Sequence, residues 1–125
     1  MRLYSKLFLG WIIISLILTW TPGDALPKPD ILDISLIGFI AHFGMFTVFS
    51  FLLTGIMYGN GDKETSMEKI IFPVILWSLG FSLFTETGQY FIPGRYFHWL
   101  DLIVNFMGSM TGIGLFFLKF KYFSN

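Results

Sequence analysis

The stretch ETGQYFIPGRYFHWLDLIVNFMGSMTG, from Glu86 to Gly112, decides how the rest of the chain is read. An acid and an amide, Glu86 and Gln89, close one apolar run. A Pro93-Gly94 pair follows, which stops a helix and turns the chain. A second acid and amide, Asp101 and Asn105, then open another apolar run. The stretch reads as the joint between two helices, each carrying its polar groups at the end nearest the joint. Asp101 and Asn105 share a face at i and i+4, and Gln89 lies one helical step from Glu86. Gly108 and Gly112 continue the Asp101–Asn105 face, and their small-xxx-small spacing lets two helices approach closely.

Outward from this joint the chain is apolar. Of its 125 residues, 54% are hydrophobic and only 13% charged, against roughly 25% charged in an average soluble domain. Sixteen Phe and four Trp exceed what a small aqueous core needs. Four runs, about residues 3–21, 34–58, 70–91 and 100–120, each approach the roughly 20 residues that cross a bilayer core. The expectation is an all-α integral membrane four-helix bundle filling residues 1–125 as one domain. The net charge of zero leaves no nucleic-acid footprint. The absence of cysteine excludes thiolate metal sites and cysteine catalysis.

The first run also has the parts of a secretory signal: basic Arg2 and Lys6, an apolar middle from Leu7 to Leu18, and Gly23-Asp24-Ala25 as a small-x-small cleavage pattern. Its length favours an anchored helix, with Trp11 and Trp20 as an interfacial belt. Six of the eight basic residues fall at the two termini and in the loop between the second and third runs. The excess of Lys and Arg marks the cytoplasmic side, so both termini are expected inside. The loop between the first two runs carries Pro22, Pro27 and Pro29, which resist helix continuation. Thr65-x-x-Glu68 fits a capping box before the third run, and Pro73 sits near that helix's start, where it is tolerated.

With this topology His42, Glu86, Gln89, Arg95, Asp101 and Asn105 all fall in the outer half, where they can meet in one outward-opening pocket. Thr54 and Ser78 are the strongest polar groups of the inner half. An ionisable group in a span costs at least a few kcal/mol and is a functional candidate by default. Glu86 and His42 are the candidate catalytic pair. Glu86 reads as a general acid or base, or as a charge paired with Arg95 to fix the bundle. His42 reads as a proton carrier, phosphate contact or metal ligand, or as a histidine bonded to a neighbouring helix. Gln89, Arg95, Asp101 and Asn105 are the candidate ligand-binding residues. The Arg95 guanidinium suits a lipid phosphate, with snorkelling or a salt bridge to Asp101 as the plain alternative. Asp101 also suits a helix N-terminus, and Asn105 is placed to hold an acid by hydrogen bonding. His98 and Trp99 read as interfacial. His42, Glu86 and Asp101 form a chemically sufficient ligand set for a divalent ion. No HExxH-type spacing accompanies them, so no metal and no cofactor are expected.

Glu86-x-x-Gln89, Pro93-Gly94-Arg95 and Asp101-x-x-x-Asn105-x-x-Gly108-x-x-x-Gly112, with His42-Phe43 in the second run, resemble the signature of the VanZ-like family of small bacterial membrane proteins. The resemblance covers about three of the four runs. It implies a four-helix protein of the bacterial cytoplasmic (inner) membrane, whose namesake is associated with low-level resistance to the glycopeptide teicoplanin. One departure stands out. Members often carry an Asp-Lys pair four and three residues before the histidine, and here Gly38 and Phe39 stand there. This chain either lacks the contribution of that pair or supplies it elsewhere, with Asp33 as a candidate.

Three functions compete on these grounds. The first is recognition of an envelope lipid or lipid-linked precursor by the polar pocket, reducing glycopeptide access. The second is an enzyme acting on a membrane-bound phosphate ester or sugar. The third is a scaffold in which the polar groups only lock helix register and Gly108 and Gly112 mediate association. Membrane lipids are the expected partners, and the sequence leaves the oligomeric state open.

Overall fold

The computed structural model describes residues 2–22, 34–62, 64–95 and 97–123. Four helices account for nearly all of them: α1 (Arg2–Trp20), α2 (Ile34–Asn60), α3 (Met67–Tyr90) and α4 (Trp99–Phe123). Each is long and apolar enough to cross a membrane. The protein is a multi-pass membrane four-helix bundle, as its composition predicts. Large apolar side chains such as Leu76, Trp77, Phe84 and Phe123 point outward. Small and polar ones point inward, among them Ser15, Ser50, Thr54, Ser82 and Asn105. Lipid tails are as apolar as leucine, so helices in a bilayer associate through close packing and interhelical hydrogen bonds. This distribution answers that requirement.

The helices alternate in direction. Trp11 and Thr19 of α1 meet Met45 of α2, while Tyr4 lies against Gly55. Ser82 of α3 meets Asn105 of α4. The closest pair is α2 with α4, which run parallel from His42–Asn105 at one end to Tyr58–Phe120 at the other. Glycine sets that approach. A Cβ on Gly108 would collide with the carbonyl oxygen of Phe43, and one on Gly112 with the Thr47 carbonyl and the Ser50 hydroxyl. Ser50 Oγ then donates across the seam to the Ser109 carbonyl at 2.8 Å. The small-residue face is thus covered by α2 of the same chain. Gly108 and Gly112 therefore act in helix packing within the bundle.

The interior is layered. Phe49, Leu53, Val74 and Ile113 form an apolar core at mid-bundle, with Phe49 stacked on Phe81 at 4.8 Å and 7°. Toward the α3–α4 joint the interior becomes polar. At the joint the chain turns through Pro93-Gly94, and Gly94 has φ 74°, a left-handed conformation that only glycine adopts without cost.

Several local expectations change. The α3 N-cap is Ser66, with no side-chain cap bond, so Thr65 lies one residue outside the helix and the Thr65–Glu68 box does not form. Pro73 falls in the second turn of α3, where its missing N–H leaves the Lys69 carbonyl without a helical donor. Trp11 and Trp20 face the bundle rather than a membrane interface. Trp11 Nε1 donates to the Met45 carbonyl at 3.0 Å, and Trp20 Nε1 to the Thr85 carbonyl at 3.4 Å. The indole of Trp20 occupies the space where a side chain at Gly88 would project. The Gly23-Asp24-Ala25 pattern, Pro27, Lys28, Pro29, Asp33 and Lys63 lie outside the described residues.

Candidate functional site

The polar layer is built by one face from each of three helices. On α2, His42 lies two turns in from the start. On α3, Ser82, Glu86 and Gln89 follow one another at helical spacing, and all are buried. On α4, Asp101 stands in the first turn, where the free amide groups of a helix start favour a carboxylate. Asn105 follows one turn later.

Asn105 ties the three helices together. Its Oδ1 lies 3.0 Å from His42 Nδ1, and its Nδ2 donates to Ser82 Oγ at 2.8 Å. It therefore positions the histidine, and its side chain also lies beside the Glu86 carboxylate. A carboxylate flanks each nitrogen of that imidazole. Glu86 Oε1 is 3.5 Å from Nδ1 and Asp101 Oδ2 is 3.7 Å from Nε2. Glu86 and Asn105 are 0% exposed, while His42 and Asp101 keep 8% and 7%. The cluster is thus buried, with His42 and Asp101 its most exposed members. Neither oxygen of Glu86 has a hydrogen-bond partner. The His98 backbone and the Asn105 side chain lie close to its carboxylate.

The other candidates are drawn toward α1. Gln89 Nε2 donates to the Thr19 carbonyl at 3.2 Å. Arg95 Nε donates to the Thr21 carbonyl at 3.0 Å, and its Nη2 to the Leu18 carbonyl at 2.8 Å. Leu18 and Thr19 belong to the last turn of α1 and Thr21 directly follows it, where carbonyls have no intrahelical donors. Arg95 thus caps α1 rather than bridging to Asp101 or Glu86. Burial holds its guanidinium below the usual value, and the fields of Glu86 and Asp101 act in the opposite direction. Trp99 is 73% exposed, in keeping with an interfacial residue.

Sequence reading missed four participants. Ser82 was legible, since it continues the Glu86–Gln89 face one turn inward. The carbonyls of Leu18, Thr19 and Thr21 were not, because every residue offers a carbonyl and only tertiary packing selects these. One ligand atom from each of His42, Glu86 and Asp101 lies within 4.8 Å of the others. HExxH-type spacing has no bearing on groups supplied by three different helices.

Fold and site together define a class: a small four-helix membrane protein whose buried ionisable groups, His42, Glu86 and Asp101, are gathered at one end. Residues 4–120 match the family model described as VanZ/LLP1, and the chain belongs to that family. No curated protein matches it. No solved structure matches it either.

Proposed function

We propose that this protein recognises the phosphate-bearing headgroup of an envelope lipid or lipid-linked precursor at the His42–Glu86–Asp101–Asn105 end of the bundle. The observation that carries the reading is the convergence of three ionisable side chains from three helices, with both Glu86 oxygens left without a hydrogen-bond partner. A bundle that needed only to pack would fill these positions with apolar groups at lower cost. The cluster lies next to the helix ends of the α3–α4 joint, the depth that a headgroup reaches. The distribution of Lys and Arg supports an orientation with this end at the outer face of the membrane and both termini inside. Sequestering a precursor there reduces its availability to a glycopeptide, which connects the site to teicoplanin resistance.

Native mass spectrometry of the purified protein tests the binding step. The wild type should carry a phospholipid or polyprenyl-phosphate adduct that Asp101→Asn and His42→Ala reduce. Equal adducts in all three proteins would count against the reading. Deleting the gene and measuring teicoplanin susceptibility tests the resistance step separately, and an unchanged inhibitory concentration would remove it.

A second reading is an enzyme that cleaves such a phosphate ester. The observation favouring it is the imidazole set between two carboxylates, at 3.5 and 3.7 Å, an arrangement suited to moving a proton. Turnover of a polyprenyl-phosphate substrate by the wild type and its loss in Glu86→Gln would select this reading.

A further inference from the structure

Two carboxylates at the centre of the site present an electrostatic problem for a phosphate ligand, since like charges repel most strongly in a medium of low dielectric. Arg95, the cation whose guanidinium interacts with both acids, directs its hydrogen bonds to the carbonyls of α1 instead. Something else must supply positive charge where the headgroup would sit.

The hydrogen bonds show where that charge fits. The amide nitrogen of Asn105 donates to Ser82, so its carbonyl oxygen is the atom facing His42 Nδ1. An oxygen acceptor at 3.0 Å places a proton on Nδ1. The other nitrogen, Nε2, then faces Asp101 Oδ2 at 3.7 Å. A neutral imidazole nitrogen and a carboxylate oxygen both present lone pairs, and that juxtaposition is favourable only with a cation between them. Glu86 adds a second, independent pointer. It is fully buried, and neither of its oxygens has a hydrogen-bond partner. A metal-ligating histidine commonly anchors its far nitrogen on a carbonyl or carboxylate, and Asn105 serves His42 in that way.

We propose that His42 Nε2, Glu86 and Asp101 bind one divalent cation of the zinc or manganese class. One ligand atom of each residue lies within 4.8 Å of the others; Asp101 Oδ2 already faces Nε2 at 3.7 Å, while Glu86 Oε1 stands 3.5 Å from Nδ1 and reaches the ion by a side-chain rotation. One imidazole and two carboxylates suit a borderline-to-hard ion. Two negative charges against a dipositive ion make the buried site neutral. Three protein ligands leave a coordination position open, as in zinc sites that bind water or substrate, and a phosphate oxygen fits it. The phosphate half of this inference rests on the function proposed above. The metal half stands on the residues alone.

The test uses the full-length protein in detergent, stripped with chelator and titrated with Mn²⁺ alone. One ion per chain should bind, and pulsed electron paramagnetic resonance should show coupling to a single imidazole nitrogen. Zn²⁺ should compete with it. Asp101→Asn and Glu86→Gln should weaken binding by about 100-fold or more, beyond the loss typical of removing an outer-shell partner, while Glu64→Gln in the α2–α3 loop should leave it unchanged. If Glu86→Gln fails to fold, the nitrogen coupling in the wild type decides the question. No bound ion at millimolar Mn²⁺ or Zn²⁺, or ions bound without imidazole coupling, would overturn the proposal and leave a proton on Nε2 as the bridging charge. Metal bound without any lipid would sink only the headgroup reading. A lipid adduct that survives metal removal would sink only the contact between phosphate and metal.

Discussion

At the scale of the residue, Asn105 is the most consequential side chain. It is fully buried and makes both of its interhelical bonds with polar groups that have few alternatives, His42 on α2 and Ser82 on α3. Asn105→Ala removes both bonds and leaves two buried groups without these partners. Interhelical hydrogen bonds in membranes average about 0.6 kcal/mol and unsatisfied buried groups cost about 1–3 kcal/mol, so a loss of about 1–3 kcal/mol is expected. Thermal unfolding in detergent should show a clearly lower midpoint, and a midpoint equal to that of the wild type would refute the role. Asn105 was legible as a site residue because it stands one turn after Asp101 on a polar face. Its partners were not legible. Periodicity says which side of a helix is polar, but the pairing across helices depends on how far each one slides along its neighbour.

At the scale of the element, two junctions hold the bundle. The α2–α4 seam depends on Gly108 and Gly112, each in contact with α2 backbone. Gly112→Ala should cost about 1–3 kcal/mol through forced separation of the helices. Gly114→Ala, on the same helix but with nothing within 4 Å of its Cβ position, should be neutral or slightly stabilising, because alanine favours the helix. Thermal midpoints of the two variants measure the contrast, and similar values would contradict the seam. The second junction is the arginine cap on α1. Arg95→Ala frees the Leu18 and Thr21 carbonyls, and hydrogen exchange in the last turn of α1 should rise. Arg95→Lys should rescue only part of that protection, since an ammonium lacks the planar fork that reaches both carbonyls. Unchanged exchange in Arg95→Ala would remove the cap. This junction escaped sequence reading because an arginine beside two acids invites an ion pair. What decided the outcome was the position of α1, about which the Arg95 neighbourhood in sequence says nothing.

At the scale of the whole molecule, four spans and their alternation were legible from composition and run length alone, because the bilayer fixes the length of any helix that crosses it. The polar end of the bundle was legible too, since the acids and the histidine within the four runs, His42, Glu86 and Asp101, all fall toward the α3–α4 joint. The burial of the site was not, for burial comes from helix packing rather than from the order of residues. The orientation proposed from the charge bias is open to direct measurement in a chain with no native cysteine. In intact cells Pro93→Cys should react with an impermeant maleimide, while Glu64→Cys should react only after permeabilisation. The reverse pattern would place the site at the cytoplasmic face. The account as a whole depends on His42 meeting Asn105 and Glu86 inside the bundle, at 3.0 and 3.5 Å from its Nδ1. Solid-state NMR of the protein in lipid bilayers measures this most directly, with ¹⁵N-labelled histidine and ¹³C-labelled asparagine and glutamate. It should give dipolar contacts from the His42 imidazole to the Asn105 side-chain carbonyl and the Glu86 carboxylate. An imidazole that shows neither contact and correlates with lipid acyl chains instead would contradict it.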